Sequence, residues 1–167
     1  MSFWNGNTIK PLEGNYDKAT FQQLESGVLY KDKNHVYKLN YLAGEDLQID
    51  IAGMDMATLQ SVGIYFLKDK NRVYNFSYQN STVKLDKRFD AKTFVEMNYY
   101  VVKDKNHVYY NSQNIRYKDQ YATKEVQYKL LEEADATTFE MVDFTNFKDK
   151  NTTWTIGDEG EEVNFRK

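Results

Sequence analysis

The chain has 167 residues and a net charge of −3, so a strongly basic surface that binds nucleic acid is disfavoured. Aromatic residues make up 16% of the sequence and there is one proline, which excludes a disordered chain and favours β-strands. The absence of cysteine removes disulfides, thiolate metal sites and thiol nucleophiles. No apolar run approaches the roughly 18 residues that cross a bilayer, and the N-terminus lacks a signal-peptide pattern. As written, the sequence predicts a soluble, cytoplasmic protein, or a periplasmic or surface protein if a leader precedes it.

The chain begins with a partial unit over residues 1–16. Residues 2–12 contain two short runs on either side of an Asn-Gly dipeptide, which is typical of a β-hairpin. We interpret this hairpin as the last two strands of a recurring unit whose first half is missing. Either the chain has been cut from a longer repeat protein, or the partial unit caps the array.

Two polar motifs recur through the rest of the chain. The tetrapeptide K-D-K-N occurs four times, and each copy follows a D-x-x-T motif at a nearly constant distance. A catalytic motif is normally needed once, so this recurrence indicates architecture. We divide the chain into full units at residues 17–54, 55–89, 90–134 and 135–167. The aspartates of the two motifs are Asp17 and Asp32, Asp55 and Asp69, Asp90 and Asp104, and Asp135 and Asp149.

The D-x-x-T motif predicts a short helix in each unit. Apolar residues lie four and seven positions after the aspartate, as Phe94 and Met97 follow Asp90, and this spacing defines one face of two helical turns. Aspartate is a strong helix N-cap, and the residue before it, Phe89 in this unit, can form a hydrophobic staple. Because so short a helix is marginal alone, we expect packing to hold it in place.

K-D-K-N lies between two apolar runs in most units, and this order predicts a β-hairpin. We take Asp-Lys-Asn as a three-residue loop, a type I turn followed by asparagine in the left-handed conformation that it tolerates. A third strand should follow in each unit, beginning at Asp46, Thr82, Asn114 and Glu162. The loop would pair Tyr30 with Val36, Leu67 with Val73, Val102 with Val108, and Phe147 with Thr153.

These elements together predict a mainly β, that is β-rich α+β, fold. Each unit would be a short capped helix plus a three-stranded antiparallel meander. About four and a half such units would form one array. Residues 1–167 would then make a single repeat domain.

The segment "KDKNHVYY" at Lys103–Tyr110, preceded by "DAKTFVEM" at Asp90–Met97, resembles the DKNYY repeat family of bacterial proteins. The resemblance covers nearly the whole chain. It implies a repeat protein, with no catalytic residue and no cofactor to carry over. The chain departs from the family pattern at Thr152–Trp154, where the usual Val-Tyr step is absent, and within Lys118–Ala134, which holds extra residues.

Motifs for catalysis or metal binding do not stand out. His35 and His107 follow K-D-K-N, but Arg72 and Thr152 take the equivalent positions, so we interpret the histidines as strand-edge residues. The loop places a cation between Asp and Asn, unlike a calcium-binding loop, and we read the acidic segment 157–165 as a solvated turn. A hidden carboxylate pair stays open, because the chain has 25 acidic residues. The sequence therefore predicts no enzyme activity, no cofactor and no metal site.

Two surfaces are candidates for binding a partner. Stacked units would bring the hairpin tips to one edge, where their lysines form a positive ridge that either keeps the tips soluble or attracts an acidic protein. The irregular stretch 118–134 and the tyrosines in and beside it form the second candidate, since tyrosine is enriched in interface hot spots. The residues are Lys33, Lys70, Lys105 and Lys150 for the ridge, and Tyr117, Tyr121 and Tyr128 for the second surface.

The sequence favours a non-enzymatic repeat module that presents loops to a protein partner. Within that class we expect an immunity or antitoxin-like inhibitor, by analogy with other small acidic proteins without cysteine. The alternative is an envelope or surface protein that binds cell-wall glycan through rows of aromatic rings. An enzyme of unknown type is the third interpretation, and the oligomeric state is open.

Overall fold

A computed structural model describes residues 2–4, 9–11, 16–25, 29–38, 47–49, 51–63, 65–77, 82–98, 100–112, 127–159 and 162–166. Its regular elements in these ranges are β-strands, and no α-helix is present there. The strands form one two-stranded sheet and four four-stranded sheets, all antiparallel. The prediction of a mainly β protein is therefore confirmed. Within the same residues no helix is long and apolar enough to cross a membrane.

Each four-stranded sheet is a meander of consecutive strands and lies within one of the predicted units. The two-stranded sheet pairs β1 (Ser2–Trp4) with β2 (Ile9–Pro11), as the N-terminal hairpin prediction requires. Unit 1 contains β3 (Gln22–Gln23), β4 (Leu29–Lys31), β5 (Val36–Lys38) and β6 (Leu47–Ile49). Unit 2 contains β7 (Gln60–Val62), β8 (Phe66–Lys68), β9 (Val73–Ser77) and β10 (Thr82–Asp86). Unit 3 contains β11 (Val95–Asn98), β12 (Val101–Lys103), β13 (Val108–Asn111) and β14 (Tyr128–Leu130). Unit 4 contains β15 (Glu140–Met141), β16 (Asn146–Lys148), β17 (Thr153–Glu159) and β18 (Glu162–Arg166).

The predicted helix is wrong in all four units. The D-x-x-T motif forms a tight turn, and the residues after it form the first strand of the sheet. In unit 3 the amide N–H of Thr93 donates both to the Asp90 carbonyl and to its Oδ1, at 3.2 and 3.1 Å. One turn of helix fixes several residues for a single hydrogen bond, whereas the following residues gain a whole strand pairing. In unit 3 Phe94 lies just before β11 and packs in the core between units 2 and 3, whereas Met97 lies in β11 and packs between units 3 and 4, so the two residues do not share one helical face.

The predicted three-residue loop is also wrong, since the hairpin loop has four residues. Lys31 pairs with Val36 and Tyr30 with Tyr37, so the register differs by one residue from the predicted one. The Asp32 amide donates to the carbonyl of His35 at 3.0 Å, so this bond closes the loop across its first and last residues. A one-residue shift exchanges the faces of a strand, and so changes which side chains lie together. The other units pair Leu67 with Tyr74, Val102 with Tyr109, and Phe147 with Trp154.

The strand predicted to follow each hairpin is present at β6, β10 and β18. In unit 3 the predicted start at Asn114 lies outside the described residues, and β14 completes the sheet. Each sheet therefore has four strands where the sequence predicted three, because the supposed helix supplies the extra strand.

The hydrophobic core is divided into three clusters, each between two successive sheets. We call the side of a sheet that packs on the next unit its forward face, and the opposite side its backward face. In unit 3, Val101 and Val108 pack forward on unit 4, while Val102 and Tyr109 pack backward on unit 2. Burying one such side chain stabilises the fold by about 1.5–3 kcal/mol. The sheets of units 2 and 3 are thus covered on both faces.

Candidate functional site: the hairpin tips and the edge of unit 4

The aspartate of K-D-K-N is a buried acceptor that holds two turns together. In unit 1 the Oδ1 atom of Asp32 accepts the amide N–H groups of Asn34 and His35, at 2.7 and 2.8 Å. Its Oδ2 atom accepts the amide of Asp17 at 2.8 Å and the hydroxyl of Tyr37 at 2.8 Å. Burial alone would raise the pKa of Asp32, but these donors outweigh it and lower the pKa to about 2. The carboxylate is therefore charged, saturated with donors and structural.

The same contacts recur in every unit. The first aspartate of each D-x-x-T motif donates its amide to the K-D-K-N aspartate at 2.7–3.0 Å. A tyrosine hydroxyl joins the site in unit 2 as well, where Tyr74 donates to Asp69 at 2.7 Å. In units 1 to 3 this aspartate is 1–3% exposed and its oxygens already accept hydrogen bonds, so it is closed to a substrate or a metal ion, whereas Asp149 of unit 4 is half-buried. The equivalent residues in the other units are Asp69, Asp104 and Asp149.

The second lysine of K-D-K-N, which forms the predicted ridge, is exposed but ion-paired. In unit 2 the Nζ atom of Lys70 lies 2.8 Å from Oδ2 of Asp55, and the Lys70 amide donates to the Thr58 hydroxyl at 3.1 Å. This pairing lowers the pKa of Asp55 and raises that of Lys70. Positive lysine and negative aspartate side chains therefore alternate along the predicted ridge. The other pairs are Lys33 with Asp17 at 2.6 Å, Lys105 with Asp90 at 3.4 Å, and Lys150 with Asp135.

In units 1 to 3 the first lysine of K-D-K-N reaches the next unit, a role that the sequence did not reveal. The Nζ atom of Lys103 donates to the carbonyls of Ala136 and Phe139, at 2.9 and 2.6 Å. Burial lowers the pKa of Lys103, against the attraction of nearby carboxylates. Its constant position before the loop was the available signal. Lys31 donates in the same way to Met56 and Leu59, and Lys68 to Phe94.

The predicted tyrosine surface is not assembled in the described residues. Tyr128 is only 7% exposed and packs in the core between units 2 and 3, with its ring 5.2 Å from that of Phe66. Tyr117 and Tyr121 lie outside the described residues. Of the two histidines, His107 is exposed, and Nδ1 of His35 lies 3.3 Å from the hydroxyl of Tyr37. The part of the chain that the structure describes holds no group of three or more potential metal ligands.

An exposed apolar patch lies around edge strand β15, and it was not predicted from the sequence. We call it the unit 4 patch, and its members Met141, Val142 and Phe144 are 45%, 56% and 41% exposed. The turn that carries it is held by Asp143, whose Oδ1 accepts the amides of Thr145 and Asn146, at 2.9 and 2.8 Å. The segment "EMVDF" was the available signal, because Gln23, Ser61 and Glu96 occupy the position of Met141 in the other units.

The patch is also anchored to unit 3. The Nδ2 atom of Asn98 donates to the carbonyl of Phe144 at 3.0 Å, and the Phe144 ring lies 6.0 Å from the ring of Tyr100. The aromatic side chain is thus presented on a turn whose backbone is held from two sides. Such a site can bind an apolar surface, but the side chains that line it supply no nucleophile or general base.

Comparisons with known proteins add no family to these observations. The resemblance to the DKNYY repeat family, and the analogy with inhibitors, therefore stay predictions. No protein-family model matches the chain, and no curated protein and no solved structure matches it.

Proposed function

We propose that the chain is a non-enzymatic tandem-repeat module that binds a protein partner through the unit 4 patch. The four units share motifs and the same internal hydrogen bonds, which supports a repeat scaffold. The repeated polar residues hold that scaffold together. A binding function must then use residues that the scaffold does not require.

The exposed apolar side chains of the unit 4 patch carry this proposal. Of the six large apolar side chains that are exposed in the described part of the chain, three lie within residues 141–144. Isolated exposed apolar residues are normal, whereas Met141 and Phe144 lie together around Asn98 of unit 3, whose Nδ2 atom contacts Met141 Sδ at 3.8 Å and the Phe144 carbonyl at 3.0 Å. Neighbouring exposed apolar residues of this kind mark an interaction site. Phenylalanine and methionine are also enriched at the centres of protein interfaces.

The rigid turn strengthens the argument. Binding costs about 0.5–1.5 kcal/mol for each flexible side chain that becomes ordered, and further free energy for each loop. Asp143 and Asn98 already hold the backbone of the turn, so a partner would meet Phe144 in a fixed position. The patch is therefore better prepared for binding than a mobile loop of equal composition.

The lysine ridge supports an acidic partner less well than the sequence suggested. Each ridge lysine is paired with an aspartate of its own unit, and surface pairs of this kind create little net potential at a distance. Replacing Lys33, Lys70, Lys105 and Lys150 would also remove four structural ion pairs. The ridge is thus the second candidate surface, and the unit 4 patch is the first.

The test compares two doubly substituted variants by affinity purification from cells of the source organism. The patch variant is Met141→Ser with Phe144→Ser, and the control is Leu85→Ser with Leu130→Ser, which removes two leucines of similar exposure elsewhere. We expect a protein that the control retains and the patch variant loses. That protein, once purified, should bind the patch variant at least ten-fold more weakly, a loss of about 1.4 kcal/mol or more.

Equal binding by the two variants, with unchanged circular dichroism, would refute the proposed surface. If the chain is an antitoxin-like inhibitor, the captured protein should in addition be toxic. Expressed alone, it should stop bacterial growth, and co-expression of this chain should restore growth. Restoration should fail for the patch variant and succeed for the control.

A further inference from the structure

The forward face of unit 4 differs from the forward faces of the other units. In units 1 to 3 this face carries apolar residues at two central strand positions, and all of them are 0–1% exposed. Unit 4 has Asn146 and Thr153 at these positions, and Thr153 is exposed. The equivalent residues are Leu29, Phe66 and Val101 for Asn146, and Val36, Val73 and Val108 for Thr153.

The first lysine of K-D-K-N also changes partners in unit 4. The Nζ atom of Lys148 lies 2.9 Å from the Oε1 atom of Glu140 in its own sheet. Glu140 is the residue directly across the strand pair from Lys148. In the other sheets the residue across from the first lysine is uncharged, namely Gln22, Gln60 and Val95.

We propose that unit 4 is a capping unit whose forward face prevents another unit from stacking on it, including unit 1 of a second copy of this chain. A second copy could offer the carbonyls of Lys18 and Phe21, the equivalents of the Ala136 and Phe139 carbonyls that Lys103 binds. Three changes oppose that contact. The Thr153 hydroxyl would lose hydration without a partner, and Asn146 puts an amide that already binds Asp143 and Thr155 where the other units have an apolar side chain. Glu140 holds the lysine that would bind the carbonyls.

Apart from these changes, the forward face of unit 4 still resembles a face on which another unit stacks. Val142 occupies the position of Leu24, which is 6% exposed in unit 1, and it is 56% exposed in unit 4. A groove of about 490 Å³ opens in the same unit between the turn at Thr137–Glu140 and the hairpin tip at Lys148–Lys150. A small number of substitutions should therefore be enough to let another unit stack on the forward face of unit 4. This inference concerns assembly and does not depend on the proposed partner.

The test is the oligomeric state of the variant Glu140→Val, Asn146→Val, Thr153→Val, measured by sedimentation velocity over a hundred-fold range of concentration. We expect the wild type to stay monomeric and the triple variant to form head-to-tail oligomers. Adding Lys148→Met to the triple variant should weaken that association at least ten-fold, because the lysine would be the residue that binds the carbonyls. Non-specific adhesion would not depend on Lys148.

A matched control has the same number of new valines and the same change in net charge. It carries Gln60→Val, Gln127→Val and Glu132→Val, all at exposed positions away from the forward face of unit 4. The proposal fails if the triple variant stays monomeric, if the control associates equally, or if the wild type itself forms oligomers that Lys148→Met dissolves. Should the triple variant not fold, Glu140→Gln with Thr153→Val, which frees Lys148 and keeps the shapes of both side chains, should still show weaker association that depends on Lys148.

Discussion

Lys103→Met is the sharpest test of how successive units are held together. Methionine keeps most of the aliphatic side chain and removes the ammonium group, so the carbonyls of Ala136 and Phe139 lose their donor. The two hydrogen bonds, at 2.9 and 2.6 Å, involve a charged donor, and each such bond contributes about 1.5–3 kcal/mol. Desolvation of the ammonium offsets part of this gain, as the lowered pKa of Lys103 shows. We expect a net loss of about 2 kcal/mol in the free energy of unfolding.

The chain supplies its own control for this substitution. Lys148 occupies the same motif position, but its Nζ contacts only the exposed Glu140 carboxylate within the described residues, and such surface pairs contribute about 0–1 kcal/mol. Urea denaturation followed by circular dichroism should move the midpoint by about 1 M for Lys103→Met, taking a slope of about 2 kcal/mol per molar urea. Lys148→Met should move it by less than half of that. Equal shifts for the two variants would refute the role assigned to the first lysine.

Two further predictions concern the buried aspartates of K-D-K-N. Asp69→Ala leaves four donors without an acceptor and should cost about 3–4 kcal/mol in urea denaturation, whereas Asp143→Ala, at an exposed turn, should cost about 1 kcal/mol; similar losses would contradict the buried site. The pKa of Asp32, about 2, lies below its ordinary value of 3.8, so the folded chain binds fewer protons than the unfolded chain between these values. Its contribution is therefore complete above about pH 4 and is lost as the pH falls towards 2. Thermal melts from pH 6 to pH 2 should show this loss in the wild type and a smaller one in Asp32→Asn, and parallel curves would exclude it.

The sequence was sufficient for the strand content and for the positions of the hairpins. Aromatic and β-branched runs on either side of K-D-K-N marked strands whose pairing needs only local geometry. The same local information could not choose between a helix and a turn plus strand after Asp90, because both place Phe94 on a buried side. Whether these residues form a helix or a strand depends on whether their backbone can form hydrogen bonds with a neighbouring strand. That depends on the whole sheet and not on the local sequence.

The roles of the two lysines could not be derived from composition or from spacing along the chain. Lys105 appeared to be a free surface charge because the sequence does not show that the D-x-x-T turn lies against the hairpin tip. Lys103 binds carbonyls in the following unit, and that contact exists only after the sheets have stacked. The one observable clue was the nearly constant distance between the motifs, which the hydrogen bond from Asp90 to Asp104 now explains.

These roles separate the residues that build the scaffold from those free to serve another purpose. A residue that recurs in every unit and makes the same contact in each, such as Asp104 or Thr93, is explained by the fold and points to no ligand. A residue that departs from the pattern in a single unit has no such explanation. Unit 4 concentrates these departures, with Glu140, Asn146 and Thr153 on its forward face and the exposed apolar side chains of the unit 4 patch around strand β15. Polar side chains on the forward face would oppose stacking and exposed apolar ones can bind another protein, so we expect unit 4 both to prevent stacking and to bind a partner. Substitutions in unit 4 should therefore affect assembly and binding while leaving the contacts of units 1 to 3 intact.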